Sequence, residues 1–334
     1  MWFEVFDTAK ANATIDHLAA ADHLSDWGMR IFSKLNPLFD PEGYHFGSVW
    51  PLFTGWASLG EYVYHRPLAA YANLQANAHL VFDGSLGHVT EVLSGSRYEP
   101  LPTSCPHQIW SSAMVVSPLI RGLLGITSSA TTNEIVVAPH TPAGWNSWSA
   151  KNVPACGGTV DLIYGKTSAK ESLQAVLHKT TPLSERDCRL TFSPGVSPHA
   201  RIGRSIKVRQ TTGDQHPTVS ATLSSGRASI AIPVQGDFQL AVADELPTLG
   251  DTSSNLRVVQ ESWSSDHKRV QLLLNGLSGS VYQMYSYGAA IASAQGAHIV
   301  KSTPDSQLIE VRFPNDAQAG EYTSWTITLN FSSQ

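Results

Sequence analysis

Residues 106–139, PHQIWSSAMVVSPLIRGLLGITSSATTNEIVVAP, contain the point at which the sequence changes character. In the first part of this stretch, apolar residues follow a helical period and place Ile109, Ala113 and Val116 on one face. From Thr127 onward the chain consists of short runs in which apolar and polar residues alternate. Because side chains repeat every 3.6 residues in a helix and every two in a strand, this stretch predicts a helical region followed by a β region.

The residues before Thr127 predict four to five helices joined by loops rich in Gly, Pro and aromatic residues. One helix is expected to start at Pro67, where a missing N–H has no cost, and to end near Asp83-Gly84. A preceding helix is expected to carry Trp56, Leu59 and Val63 on one apolar face.

The residues after Thr127 predict antiparallel strands arranged as a β-sandwich, because alternating runs are separated by turn clusters such as Ser224-Ser225-Gly226. The order of helices first and strands second indicates separate domains rather than a βαβ sheet. The predicted domains are residues 1–127 and residues 128–334. The predicted strands include Gly158–Tyr164, Ser205–Arg209, Asp237–Ala243, Arg269–Leu274, Ser280–Tyr287, Gln307–Phe313 and Thr323–Phe331.

The composition excludes several classes of partner. The chain has 334 residues, a net charge of −5 and 15% charged residues, below the usual value of about 25%. With no Lys/Arg block, no nucleic acid and no membrane surface is expected as a partner. No uninterrupted apolar stretch of about 20 residues is present. The low Lys content and the Ser/Thr-rich strands favour a periplasmic or secreted parent protein over a cytoplasmic one.

The cysteines and histidines show no metal-binding pattern. Cys105, Cys156 and Cys188 are far apart and lack the CxxC spacing of zinc sites. An odd number excludes a full disulfide framework. One disulfide is possible, and three free thiols are the simplest interpretation. None of the 13 His residues forms an HxxxH or HExxH motif, so no metal is expected.

Four segments of the helical region combine aromatic rings with polar side chains, and each is predicted to begin or precede a helix: Ser25–Arg30, Tyr44–Pro51, Gly84–Gly95 and Pro106–Met114. Sugar sites need flat rings for the apolar faces of pyranoses and polar groups for the hydroxyls. Glu91 follows a Gly-rich loop, and no Lys or Arg within five residues pairs with it. The alternatives are core packing for the aromatic residues, a solvated surface position for Glu91 and a helix N-cap for Asp26.

The four segments occur in an order that resembles a known family. The patterns Asp26-Trp-Gly-x-Arg30, Tyr44-His-x-Gly-Ser-Val-Trp-Pro51, Glu91-Val-Leu-Ser-Gly95 and His107-Gln-x-Trp-Ser-Ser-Ala113 are similar to those of six-hairpin glycosidases of the glycogen-debranching-enzyme type. The resemblance covers about a third of the chain. It implies a partial (α/α)₆ toroid followed by an antiparallel β-sandwich.

The resemblance also implies an activity, the hydrolysis of α-glycosidic bonds with inversion and without a cofactor. Glu91 would be the general base, located in a pocket walled by Trp50 and Trp110. The residues implied to contact the carbohydrate substrate are Asp26, Trp27, Arg30, Tyr44, His45, Trp50, His107, Gln108 and Trp110.

The chain departs from the family pattern in one respect. The resemblance places the general acid on an Asp of an earlier hairpin, and a complete barrel needs more helices than residues 1–126 hold. We therefore expect a C-terminal portion whose partner is the missing N-terminal half of the barrel. The alternatives are a non-catalytic carbohydrate-binding remnant and an enzyme similar to α-L-rhamnosidases or mannosylglycerate hydrolases.

Overall fold

The structure is a computed structural model that describes residues 2–179, 187–203, 209–211, 214–223 and 226–332. Of residues 179, 209–211 and 214–217 only the backbone is described. The chain divides into two compact units. Unit 1 contains the described parts of Met1–Leu119, Leu240–Ser286 and Ala290–Ser333, and unit 2 those of Ile120–Gln239 and Tyr287–Ala289.

The N-terminal part of unit 1 contains a short hairpin and, among the described residues, four α-helices. The helices are α1 (Thr8–Ala19), α2 (Pro51–Val63), α3 (Pro67–His79) and α4 (Ile109–Ser117). The hairpin consists of β1 (Leu24–Ser25) and β2 (Gly28–Met29). The helix that the sequence predicts to continue to Gly125 ends as an α-helix before Pro118, because proline cannot donate the next backbone hydrogen bond, and a π-helical segment follows at Pro118–Leu123.

The prediction that Trp56, Leu59 and Val63 form one buried face of α2 is partly wrong. Leu59 is buried, but Trp56 and Val63 are exposed. The buried side of α2 consists largely of small and hydrogen-bonded polar residues, including Ser58, whose hydroxyl donates to Ala70 O at 2.8 Å. Small residues allow close packing: a Cβ at Gly55 would lie 2.3 Å from Met114 Cβ on α4.

Two of the four aromatic-rich segments are not helix starts, contrary to prediction. Ser25–Arg30 forms the β1–β2 turn, in which the Ser25 hydroxyl donates to Gly28 O at 2.6 Å. Gly84–Gly95 is irregular and is followed by more loop up to Gln108. Tyr44–Pro51 and Pro106–Met114 lead into α2 and α4 as predicted.

Unit 2 is built from strands β3 to β12. They are β3 (Ile126–Ser129), β4 (Glu134–Val137), β5 (Ser147–Ala155), β6 (Gly158–Thr167), β7 (Lys170–Lys179), β8 (Arg189–Phe192), β9 (Arg201–Ile202), β10 (Arg209–Thr211), β11 (Asp214–Thr222) and β12 (Arg227–Gln235). They form two five-stranded sheets with the orders β10-β11-β8-β4-β3 and β5-β6-β7-β12-β9. The pair β4–β8 is parallel, whereas the neighbouring pairs β3–β4 and β8–β11 are antiparallel.

The core of unit 2 joins side chains from both of its sheets. Val137 and Leu190 come from one sheet, Leu162 and Ile232 come from the other, and all four belong to one buried apolar cluster. A disulfide between Cys156 and Cys188 links residues 32 positions apart, and Cys105 is a free, exposed thiol. The structure therefore selects the one-disulfide alternative.

The C-terminal strands form two four-stranded sheets. They are β13 (Phe238–Val242), β14 (Arg257–Trp263), β15 (Arg269–Leu277), β16 (Val281–Gly288), β17 (Ile291–Gln295), β18 (His298–Ser302), β19 (Ser306–Arg312) and β20 (Tyr322–Phe331). The sheet orders are β13-β16-β19-β18 and β14-β15-β20-β17. Buried side chains on both sheets, such as Leu272 and Ile327 on one and Met284 and Ile309 on the other, give this region its apolar core.

An α-then-β order with several antiparallel sheets agrees with the prediction in its coarse form. The predicted strand Ser205–Arg209 and the predicted turn at Ser224-Ser225 lie outside the described residues, apart from Arg209 at the start of β10. The toroid and the domain limits 1–127 and 128–334 stay predictions. Among the described residues, no helix has the length and apolar character needed to span a membrane.

Candidate functional site

Two loops of unit 1 lie side by side and place the candidate residues together. One is the segment before α2 and the other is the long loop before α4. Val49 and Leu93 form an isolated antiparallel bridge, in which each backbone N–H donates to the other residue's carbonyl at 2.9 Å. This bridge brings Tyr44 and Glu91, which are 47 positions apart in the sequence, within hydrogen-bonding distance.

Glu91 lies between the two loops and is only 9% exposed. The Tyr44 hydroxyl donates to Glu91 Oε1 at 2.8 Å, and the Cys105 backbone N–H donates to Oε2 at 3.3 Å. The Glu91 N–H in turn donates to Cys105 O at 2.8 Å. Glu91 is therefore a fixed carboxylate in a shielded position and not a solvated surface residue.

Aromatic rings surround the donor of this hydrogen bond. The Tyr44 ring packs edge to face on Trp50 and on His45, with centroid separations of 4.7 Å in both cases. His45 also stacks on Trp50 at 5.9 Å. Burial, together with the Glu91 carboxylate, raises the pKa of Tyr44 above its ordinary value, so that Tyr44 stays a proton donor.

Trp50 is mostly buried beneath these rings. Its Nε1–H donates to Tyr44 O and to Ser48 Oγ, each at 3.0 Å. Trp50 belongs to an apolar cluster with Val92 and Leu101. Since Val92 directly follows Glu91, this cluster holds the carboxylate-bearing loop against the start of α2.

Trp27 and Arg30 support the Glu91 loop from inside the unit. The Trp27 indole donates to Ser94 O at 2.8 Å, and Arg30 Nε donates to Gly95 O at 2.5 Å. Both side chains are buried. Their donors are directed at protein carbonyls, which makes them positioning groups for this loop, and direct sugar binding by them stays a prediction.

The backbones of the two loops approach each other so closely at Gly95 that this position requires glycine. A Cβ at Gly95 would lie 2.1 Å from Gly47 O, which is too close for any side chain. The absence of a side chain at Gly95 therefore lets the two loops pack backbone to backbone, whereas a Cβ at Gly47 would meet Asp40 O at 2.5 Å within its own loop.

Asp26 is tied to the C-terminal sheets within unit 1. Its carboxylate forms a buried ion pair with Arg257 and accepts the backbone N–H of Ser254 at 2.8 Å. Burial, together with the charge of Arg257, lowers the pKa of the neighbouring Arg30 to about 10. Asp26 is not an N-cap of a described helix and its side chain is only 3% exposed, and sugar binding by it stays a prediction.

The last segment presents three candidate residues at the start of α4. His107 is exposed and Trp110 is 41% exposed. The Gln108 side-chain oxygen accepts the backbone N–H of Ile109 at 3.0 Å and so caps the helix. The Gln108 backbone N–H donates to Val89 O at 2.9 Å. Of these three, His107 and Trp110 present free surface.

Sequence reasoning missed two residues of this region. His88 pairs its ring with that of His107 at a centroid separation of 4.3 Å, and Cys105 supplies the backbone donor to Glu91. The proximity of His88 to Glu91 in the sequence was a possible signal. The contribution of Cys105 comes from its backbone, which has no sequence signature.

Comparisons with known proteins give a partial similarity at the level of structure. No family model matches this chain, and no curated protein matches it. Among solved structures, the chain is similar to an α-L-rhamnosidase from Dictyoglumus thermophilum, a glycoside hydrolase, with a TM-score of 0.39 and 12% sequence identity. The match covers 55% of this chain and 21% of that chain, so this chain corresponds to a small part of that enzyme's length.

Proposed function

We propose that the Glu91 region is part of the active site of a glycoside hydrolase, in which Glu91 acts as the general base that activates water. The carrying observation is the hydrogen bond from Tyr44 to Glu91 Oε1 at 2.8 Å beside the rings of Trp50 and His45. Sugar binding needs aromatic rings, and glycoside hydrolysis needs two carboxyl groups; this region supplies the rings and one of the carboxyl groups.

The proposed reaction is hydrolysis of an α-glycosidic bond with inversion of configuration. In such a reaction one carboxyl group protonates the leaving oxygen, and a carboxylate on the opposite face removes a proton from water. Glu91 is assigned the second role. The proposal assigns the proton donor to a segment outside residues 1–334, as the resemblance to six-hairpin glycosidases implies, and requires no cofactor.

Exposed apolar side chains on the helices support the proposal that a further segment of the protein covers these helices. Trp56 on α2 and Ile109 and Val116 on α4 are exposed, and α2 packs against α4. A large exposed apolar patch commonly marks an interaction site. In the proposed protein, further helical hairpins of the toroid cover these side chains.

Sugar binding by this chain is the first test. We expect isothermal titration calorimetry to detect binding of at least one of maltotriose, isomaltotriose or an aryl α-L-rhamnoside. Trp110→Ala should weaken this binding roughly tenfold, about 1.4 kcal/mol, through loss of ring stacking. Trp145, which is 46% exposed in unit 2, offers a matched control. If no sugar binds, or Trp110→Ala and Trp145→Ala behave alike, the proposal fails.

Hydrolysis is the second test, and it distinguishes an enzyme from a binding protein. With the proton-donating segment present, Glu91→Gln should lower turnover by about 10²–10⁴-fold while sugar affinity changes little. Full turnover of maltooligosaccharides or glycogen by residues 1–334 alone would contradict the assignment of the acid to another segment.

A non-catalytic carbohydrate-binding protein is the second candidate function. It is favoured by the fact that both Glu91 oxygens already accept hydrogen bonds from the protein. In that case sugar binding would be unaffected by Glu91→Gln and no hydrolysis would appear under any condition. A panel of aryl glycosides, including α-L-rhamnosides, separates the substrate classes within the enzymatic alternative.

A further inference from the structure

Three potential metal ligands meet at the C-terminal end of α1, in a part of unit 1 that the proposed function does not use. His17 belongs to the last turn of α1, and Asp22 and His23 follow the helix before β1. One ligand atom from each of the three residues lies within 4.8 Å of the other two. Two imidazoles and a carboxylate are a ligand set that Zn²⁺ uses in proteins.

The spacing of the two rings fits a shared metal ion. His17 Nε2 and His23 Nε2 are 3.1 Å apart. In a tetrahedral site with Zn–N bonds of about 2.0–2.1 Å, two nitrogen ligands are separated by about 3.3 Å. A hydrogen bond between the rings accounts for the same separation; the additional observation in favour of a metal site is that an Asp22 carboxylate oxygen also lies within 4.8 Å of a ligand atom of each His.

The partners of these ligands resemble the outer contacts of metal sites. His23 Nδ1 lies 3.4 Å from Arg30 O. Because a carbonyl only accepts, the neutral tautomer that makes this hydrogen bond carries its proton on Nδ1 and leaves the Nε2 lone pair directed toward His17. Asp22 Oδ2 accepts a short hydrogen bond from the Ser33 hydroxyl. Such contacts orient ligating His and carboxylate groups in metal sites.

We propose that His17 Nε2, His23 Nε2 and the Asp22 carboxylate bind one Zn²⁺ ion, with water as the fourth ligand. The ion fastens the last turn of α1 to the segment that carries Asp26, Trp27 and Arg30. The Asp22 carboxylate would neutralise part of the charge of the bound ion.

The test measures Zn²⁺ binding to the purified full chain by isothermal titration calorimetry and by competition with a chromophoric chelator. We expect one ion per chain, and a Kd raised at least tenfold in His17→Ala, in His23→Ala and in Asp22→Asn. His17 is exposed, so His17→Ala is expected to fold and decides the result if His23→Ala does not. Co²⁺ should give visible absorption bands of tetrahedral intensity that His17→Ala weakens.

Two controls separate this site from others on the same chain. His298→Ala, at an exposed position on β18, should leave the Kd unchanged. His88 and His107 also have neighbouring rings, so the double variant His88→Ala/His107→Ala should retain the wild-type Kd. The inference is overturned if His17→Ala binds Zn²⁺ as tightly as the wild type, if only the His88/His107 variant loses binding, or if no binding occurs below about 1 mM.

Discussion

Two buried glutamates, Glu91 in unit 1 and Glu171 in unit 2, are held in opposite ways. Glu91 accepts from neutral donors, the Tyr44 hydroxyl and the Cys105 backbone N–H. Glu171 lies in the core of unit 2 with Lys166 Nζ 3.1 Å away, and the same ammonium is 2.7 Å from Asp237. Both glutamates are shielded from water, but only Glu171 has a described cationic partner.

The difference separates a carboxylate that is paired with a cation from one that accepts hydrogen bonds from neutral donors. Burial opposes the charge of Lys166, but Asp237 and Glu171 outweigh this effect and raise the pKa of Lys166, so the ammonium stays charged. A charge inside a core is tolerated when an opposite charge compensates for its lost hydration. The Glu91 carboxylate, in contrast, accepts from the Tyr44 hydroxyl and the Cys105 backbone N–H, and the proposed role as a general base is argued from this arrangement.

The largest expected loss of stability comes from a variant that removes the cation from the charged network of unit 2. Lys166→Met leaves Glu171 and Asp237 without their cation and should lower the free energy of unfolding by about 3–5 kcal/mol. Urea unfolding followed by circular dichroism measures this loss. Lys151→Met, at an exposed position on β5, is the control and should change little. Equal unfolding midpoints for the two variants would show that the ion pair does not stabilise unit 2.

The Cys156–Cys188 disulfide is expected to have the second-largest effect on the stability of unit 2. The double variant Cys156→Ser/Cys188→Ser should have a free energy of unfolding about 2–4 kcal/mol lower than the wild type. The disulfide joins residues 32 positions apart and so restricts the unfolded chain. Cys105→Ser removes only the free, exposed thiol and should unfold like the wild type. A double variant as stable as Cys105→Ser would contradict the expected role of the bridge.

Glu61, a buried glutamate on α2, shows how a carboxyl group that accepts hydrogen bonds from a neutral side chain responds to pH. Glu61 is fully buried and accepts from Asn73 Nδ2 at 2.9 and 3.2 Å. Burial raises the pKa of Glu61 from 4.5 to about 7. The folded state therefore favours the protonated acid, and the wild type should lose stability as the pH rises from about 4.5 through 7.

The measurement compares the wild type with Glu61→Gln, which cannot ionise, by urea unfolding at several pH values. Relative to the variant, the wild type should lose up to about 1.4 kcal/mol per pH unit across this interval, or about 3 kcal/mol in total. Below pH 4.5 the difference should be constant. A difference that does not change between pH 4.5 and 8 would show that Glu61 keeps its ordinary pKa.

The smallest effect is expected at the hydrogen bond that supports the Glu91 proposal. Tyr44→Phe should lower the free energy of unfolding by only about 1 kcal/mol, because a neutral donor is removed while the ring packing on Trp50 remains. Tyr64→Phe, which removes an exposed hydrogen bond to Phe6 O, serves as the control. A loss as large as that of Lys166→Met would mean that Glu91 belongs to a structural network like that of Glu171.

Local patterns allowed part of this structure to be read from the sequence. The helical period around Ile109–Val116 predicted that α4 exists, although Ile109, Ala113 and Val116 are exposed and its buried residues are Ser111 and Met114. The predicted runs among the described residues after residue 127 coincide with strands. Local periodicity failed for α2, where Trp56 and Val63 are exposed while Ser58 and Glu61 are buried. Hydrogen bonds to α3 compensate for burying these polar groups, and such compensation depends on a neighbour that a local pattern does not contain.

The sequence by itself determined the order of helices and strands, the loop-to-helix transition at Pro51 and the choice of Glu91 as a candidate, because periodicity, proline and local charge act over a few residues. Only the tertiary structure decided that Tyr44 bonds Glu91, that Trp27 and Arg30 support its loop, that Cys156 pairs with Cys188 and that His17 meets His23. These contacts join separate segments of the chain. Their geometry is set by how the elements pack, which residue spacing does not specify.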